Sequence, residues 1–311
     1  MIISSPAARL LVRLFCGTAA GCLATATIAT AQEPFKSPAE AATSLVEAAR
    51  GGDLKRLRAI LGAGARIVLS SGDPVADAGD LRRFVSAYDA RHSLSEKGDA
   101  ATMVVGQEEF PFPIPIVRSG DHWKFDPTTG RQEIIARRIG RNELDAMQAL
   151  LAFADGQQEY AAKNPAGQGV GAYAQRIVSR PGAKDGLYWV NAAGEAPSPL
   201  GELAAEAAAD GYAVSTTRRP FHGYYFRLLN RQGPAAPGGA VDYVVRGKMI
   251  GGFAILAYPA EYGRSGVMSF MLSHAGTLYQ KDLGLGTTYA AERIRSFNPD
   301  KGWEKTTPDK P

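Results

Sequence analysis

Residues 221–282 read FHGYYFRLLNRQGPAAPGGAVDYVVRGKMIGGFAILAYPAEYGRSGVMSFMLSHAGTLYQKD. Ten of these 62 residues are aromatic and only nine are Asp, Glu, Lys or Arg. Short apolar runs alternate with Gly/Pro clusters, the pattern of strands joined by tight turns. The spacing predicts strands at 224–230, 242–245, 250–258, 267–273 and 277–280, a meander of about five short strands. Downstream, Thr287 or Thr288 caps a last helix through Ile294, Asn298-Pro299 ends it, and the tail from Lys305 reads as polar and loose.

Upstream of the meander the period is helical. Residues 131–163 carry Ile134, Ile135, Ile139, Met147, Leu150, Leu151 and Phe153 at helix-compatible positions, with Gly140 as the place for a kink. Asn164-Pro165 ends that helix. A short helix around 173–178, a strand at 186–191 and a helix from Ser198-Pro199 to about residue 209 complete the bridge to the meander.

Nearer the N-terminus, Ser37-Pro38-Ala39-Glu40 is a helix start, with Ser as cap, Pro in the first turn and Glu reaching back. Gly51-Gly52 stops this helix, and Asp53 caps a second that ends at Gly62. A strand fits 65–70, and Asp80 opens a third helix. Strands follow at 101–106, 110–118 and 122–126. The segment 110–115 holds three prolines, which lack ladder donors and confine it to an edge. Two helices, a strand, a helix and a meander resemble the nuclear-transport-factor-2-like cone. The whole is an α+β protein: a signal peptide at 1–31, an N-terminal α+β domain at 35–130, a linking helix at 131–165 and a β-rich α+β domain at 166–311.

The first 31 residues read as an address. Arg9 and Arg13 precede an apolar run at 14–28, and Ala29-Thr30-Ala31 forms a small-x-small cleavage site, so export to the periplasm or beyond, with cleavage after Ala31, is expected. Cys16 and Cys22 both fall inside this segment. The remaining chain then has no disulfide, no thiol nucleophile and no Cys-ligated metal. Without Arg9 and Arg13, the 35 basic residues become 33 against 31 acidic ones, a balance of +2. That gives no argument for a nucleic-acid partner or an anionic membrane surface. No later stretch approaches the roughly 20 apolar residues of a membrane span.

Catalytic motifs are incomplete. Gly263-Arg264-Ser265-Gly266-Val267 is one residue from a nucleophile elbow, but it joins two strands where an elbow joins strand to helix, so a hairpin turn is the better reading. Gly167 to Ala172 fits G-x-G-x-x-A in form but follows Asn164-Pro165, not a strand, and reads as a linker. None of His92, His122, His222 and His274 lies in a His-Glu-x-x-His motif, so no metal and no cofactor are expected.

One constellation in the meander carries chemistry. Tyr224, Tyr225, Arg227, Tyr243, Tyr258 and Tyr262 are binding candidates, because Tyr and Arg contact ligands or partners at low entropic cost. The competing reading has the tyrosines rimming the sheet's core with hydroxyls in water. If the chain is an enzyme, His222, Asp242 and Glu261, with Lys248 or Tyr225 assisting, are the ionisable groups amid apolar strands where burial can shift pKa. That reading requires two of them to converge in one cleft.

From Arg137-Arg138-Ile139-Gly140-Arg141-Asn142-Glu143-Leu144 onward the sequence resembles a bacterial family of secreted proteins, domain-of-unknown-function family 2950 (DUF2950). The resemblance runs through His222-Gly223-Tyr224-Tyr225-Phe226, Gln232 to Gly239, Lys248 to Phe253, Ala257 to Gly263 and Tyr279 to Gly284. It implies an envelope protein with no assigned activity and carries over no functional residue. Gly223 to Lys281 also resembles the C-terminal sheet of type II secretion pseudopilins, through Gly223-Tyr224-Tyr225-Phe226, Ala257-Tyr258-Pro259, Ser265-Gly266 and Tyr279. The long apolar assembly helix of a pseudopilin is missing.

The expected function is a non-enzymatic binding or envelope-assembly module whose partner is an envelope protein or polymer. An envelope hydrolase around His222, Asp242 and Glu261 is one alternative. The other is a small-ligand carrier in the N-terminal cone, lined by Phe84, Tyr88, Phe112 and Trp123.

Overall fold

Two short polar side chains start the chain's first helices. Ser37 Oγ accepts from the Glu40 N–H at 3.2 Å, and Asp53 Oδ1 accepts from the Arg56 N–H at 2.9 Å. They cap α1 (Pro38–Arg50) and α2 (Leu54–Leu61) as their residue types predispose them to do. The computed structural model describes residues 32–169, 171–213 and 218–308, so the expected signal peptide lies outside the described residues.

The strand expected at 65–70 is a helix, α3 (Ala65–Leu69). A short apolar run does not distinguish the two by periodicity. Here Arg138, seventy residues away, donates to the carbonyls of Ile67 and Val68, among the last of the short helix. Next, α4 (Pro74–Ala90) begins six residues before Asp80, because Asp73 Oδ1 accepts from the N–H groups of Val75 and Ala76 and Pro74 fits the first turn. With 65–69 helical, the element order departs from the one on which the cone resemblance rested.

The strands β1 (His92–Lys97), β2 (Ala100–Val105), β3 (Phe110–Pro111), β4 (Ile116–Ser119) and β5 (His122–Phe125) form an antiparallel sheet of order β1-β2-β4-β5, with β3 on β2. The proline-rich segment contributes only the two-residue β3 at an edge. β1 was not expected, because its six residues are almost all exposed and show no apolar alternation. Leu45, Leu57, Ile60, Met103, Ile116 and Phe125 belong to the buried cluster of this half.

The helix α5 (Pro127–Lys163) is capped by Asp126 and ends where Asn164 turns left-handed at φ +47°. Gly140 does not interrupt it. Ile134 packs against the N-terminal cluster, while Ala146, Leu150 and Phe153 belong to a second cluster built on the C-terminal sheet. Among the described residues no helix is long and apolar enough to cross a membrane.

Neither the helix expected at 173–178 nor the strand at 186–191 forms. The segment is irregular and is held by tertiary bonds: the Gln157 amide donates to the Ala174 carbonyl at 2.9 Å and accepts from its N–H at 2.8 Å. α6 (Gly201–Asp210) follows and stops at Gly211, whose φ of +102° suits glycine.

The C-terminal half holds β6 (Tyr224–Leu229), β7 (Arg231–Gln232), β8 (Val241–Asp242), β9 (Val244–Val245), β10 (Lys248–Met249), β11 (Ala254–Pro259), β12 (Met268–Ser273), β13 (Leu278–Asp282), α7 (Thr287–Arg293) and β14 (Glu304–Thr306). Five strands make one antiparallel sheet of order β14-β13-β12-β11-β6, in which Ala257 pairs with both Phe270 and Phe226. β7 with β8, and β9 with β10, form two-residue ribbons. β11 starts at Ala254, not at 250, because Gly252 at φ +128° breaks the run. The tail is not loose at 304–306: β14 pairs with β13. β11 and β12 are buried along nearly their whole length, with α5 and α7 both packed on the sheet. The fold is α+β.

Candidate functional site

The expected catalytic residues take four separate sets of partners. His222 Nδ1 lies 3.3 Å from Asp145, and Nε2 lies 3.9 Å from Asp210. Burial pushes the Asp145 carboxyl up, and the nearby His222 pulls it back. Asp242 is 73% exposed and lies 3.8 Å from Arg231. The Lys248 ammonium donates to the Gln168 carbonyl at 2.6 Å. Glu261 pairs with Arg264, which also donates to the Ser70 carbonyl. No hydrogen bond or ion pair among the described residues joins any two of these four. Ser265, the elbow-like serine, is fully buried, and its Oγ accepts from the Glu261 N–H at 2.9 Å inside a turn.

The tyrosine candidates divide. Tyr224, Tyr243 and Tyr258 are fully buried, so they neither reach a partner nor rim the core with hydroxyls in water. Tyr224 donates to the Met268 carbonyl and Tyr243 to Gln232 Oε1, both at 2.9 Å, while the Tyr258 hydroxyl has no hydrogen-bond partner among the described residues. Burial raises the pKa of Tyr224 and Tyr243 above the usual tyrosine range. Tyr225 is half-buried beneath the Arg218 guanidinium at 4.4 Å, and Tyr262 donates to Asp282 at 3.1 Å. Arg227 donates to the carbonyls of Ala291 and Ile294 at the end of α7.

The N-terminal half holds a cavity of about 620 Å³, within the range of small-molecule sites. Leu57 and Leu61 of α2, Val68 of α3, Leu81 and Phe84 of α4, and Phe112 line it. Phe84 and Phe112 were expected there and meet ring to ring at 5.0 Å. Tyr88 and Trp123 are not in the wall: Tyr88 stacks on His92 at 3.7 Å, and Trp123 is buried beneath Arg118.

One side of this apolar space is charged. Asp80 faces Arg83 at 2.6 Å, Arg141 at 2.7 Å and Arg138 Nε at 3.9 Å. Arg138 is only 5% exposed, and its Nε has no hydrogen-bond partner among the described residues. Burial pulls the Arg138 pKa down, and Asp80 and then Asp77 hold it up. Asp77 accepts from the Ser71 N–H, and burial pushes its carboxyl up. Arg137, paired with Glu133, stacks over Phe110 at 3.9 Å, and both line the cavity, as does Glu108.

None of these charged residues was singled out in the sequence as a site. The available signal was Arg138 and Arg141 at i, i+3 on one helix, which places them on one face. A second cavity, of about 830 Å³, lies against Phe153, Leu200, Tyr212 and Phe226. Among the described residues no group of three or more His, Cys, Asp or Glu side chains converges as metal ligands would.

These features define an α+β protein with an arginine-edged apolar cavity in its N-terminal half. The chain belongs to the DUF2950 family, described as a protein of unknown function, which matches residues 32–306. No curated protein and no solved structure matches it. The pseudopilin likeness stands on short motifs alone, and the cone likeness rested on an element order from which the observed one departs.

Proposed function

We propose that this chain is an exported, non-enzymatic binding module that holds a small molecule with an apolar body in the cavity of its N-terminal half. The observation that carries the reading is the 620 Å³ space walled by Leu57, Leu61, Val68, Leu81, Phe84 and Phe112. A ligand seated there removes apolar surface from water at about 25 cal/mol per Å² on both sides of the contact. The signal-like segment at 1–31 supports export. A hydrolase at His222, Asp242 and Glu261 gains no support from their separate partners. Binding of the neutral dye N-phenylnaphthylamine to the purified protein tests the reading, with Leu81→Trp to fill the space. Saturable dye binding that is lost in a folded Leu81→Trp protein is expected. No binding to the parent protein, or undiminished binding to the variant, ends the reading.

A further inference from the structure

We infer that the ligand is a single-chain amphiphile with an anionic head, its chain in the apolar cavity and its head against Arg138, Arg141 and Arg83; this rests on the cavity reading above. Three features of the charged side lead there.

The first is the charge count. Arg83, Arg138 and Arg141 face two carboxylates, Asp80 and Asp77. Asp77 is already engaged by the Ser71 N–H, which leaves Asp80 as the carboxylate paired with all three guanidinium groups, by hydrogen bonds from Arg83 and Arg141 and by charge alone from Arg138. One carboxylate has two oxygens for that task, and Arg83 and Arg141 both use the same one, Oδ1. An incoming anion supplies a second negative group with its own acceptor oxygens for these guanidinium donors.

The second is Arg138 itself. It is almost entirely buried, lines the cavity and keeps an Nε without a hydrogen bond among the described residues, while its other nitrogens hold the end of α3. A buried guanidinium normally has its donors filled, because an unfilled one costs free energy. The third is the division of the lining. Leu57, Leu61, Val68, Leu81, Phe84 and Phe112 offer no polar group along the body of the space. Glu108 and Arg137 also line the space, and the arginine cluster is at Asp80, where Arg83 and Arg141 reach solvent with more than two-fifths of each side chain exposed. A molecule that matches this has one apolar tail and one negative end. A carboxylate and a phosphate share that head chemistry.

Competition against the bound neutral dye tests the inference. The probes are dodecanoate, dodecyl phosphate, dodecanol, dodecyltrimethylammonium and lysophosphatidylglycerol, all below their aggregation concentrations. Dodecanoate or dodecyl phosphate is expected to displace the dye at about tenfold lower concentration than dodecanol, the worth of one charge-assisted contact. Dodecyltrimethylammonium is expected to be the weakest. The preference for anions is expected to shrink in Arg138→Gln and in Arg141→Gln, and with added salt. Arg138→Gln loosens α3 and risks misfolding; Arg141→Gln changes a half-exposed side chain whose ion pair is with Asp80 and keeps the test open. Lysophosphatidylglycerol competing as well as dodecanoate supports a lipid source, and its failure beside a competing dodecanoate supports a free acid. Equal displacement by dodecanol and dodecanoate overturns the inference and leaves the cavity reading intact. A preference unchanged in a folded Arg141→Gln protein also overturns it. Absence of dye binding removes both.

Discussion

Asp73 Oδ2 accepts a hydrogen bond from the Gly223 N–H at 2.9 Å, across 150 residues of sequence. The same oxygen accepts from the Tyr212 hydroxyl at 2.9 Å, while Oδ1 caps α4. Tyr212 in turn accepts from the His222 N–H at 3.1 Å. His222 and Gly223 are both left-handed, at φ +47° and +74°, and this aims successive amides at the tyrosine and the carboxylate. One buried acid therefore joins the first helices to the sheet that follows. Asp73→Ala removes a cap and leaves the Gly223 N–H and the Tyr212 hydroxyl short of a partner. A loss of about 3–5 kcal/mol is expected. Asp73→Asn keeps one acceptor and should cost less. Urea denaturation of both variants gives the comparison, and a loss under about 1 kcal/mol for Asp73→Ala contradicts the assignment.

Two glycines of α5 should answer the same substitution with opposite signs. A Cβ on Gly140 meets nothing within 4 Å, so Gly140→Ala should stabilise by about 0.5–1 kcal/mol through helix propensity. A Cβ on Gly130 lies 2.2 Å from the Pro113 carbonyl oxygen, and that backbone belongs to the proline-rich edge. Gly130→Ala should destabilise by about 2 kcal/mol or more, despite the same propensity gain. Thermal melts of the two variants decide it.

Asp77 sets a pH dependence. Burial raises its pKa in the folded chain, against the opposing hydrogen bonds from Ser71 and the charge of Arg138. A carboxyl raised on folding contributes stability that is full below its unfolded pKa and lost as pH rises through the folded value. The folded protein at neutral pH therefore carries this acid in its less favourable form. Asp77→Asn, whose side-chain oxygen can still accept from Ser71, should raise Tm at pH 7. The gain should vanish once the pH falls below the ordinary carboxylate range. A gain that persists in acid would show that charge is not its source.

Local chemistry was legible in the sequence, and distant partners were not. Ser37, Asp53 and the Asn164 stop act on their own neighbours, and each ends or starts a helix where expected. β6, β11, β12 and β13 were readable because Gly and Pro punctuate apolar runs there. The segment 65–69 was misread because its carbonyls are held by Arg138, and no local pattern encodes that. β1 and β14 were missed because their residues are polar and owe their conformation to a paired strand. Tyr224, Tyr243 and Tyr258 look alike as rim or as core until their hydroxyls are placed. The cavity's charged side was the least legible part. Arg138 gains meaning only beside Asp80, 58 positions earlier in the sequence, and beside the short helix that its guanidinium holds.

At 37 residues α5 is about 55 Å long and reaches both cores. Its first turns carry Ile134 and Arg138 into the wall of the N-terminal cavity, and its later turns carry Leu150 and Phe153 into the other core. A chain cut after residue 130 would lose a wall of the cavity, and one begun at 166 would lose a layer of its core. The rod is a shared beam, and neither room stands with its own walls if the beam is divided between them.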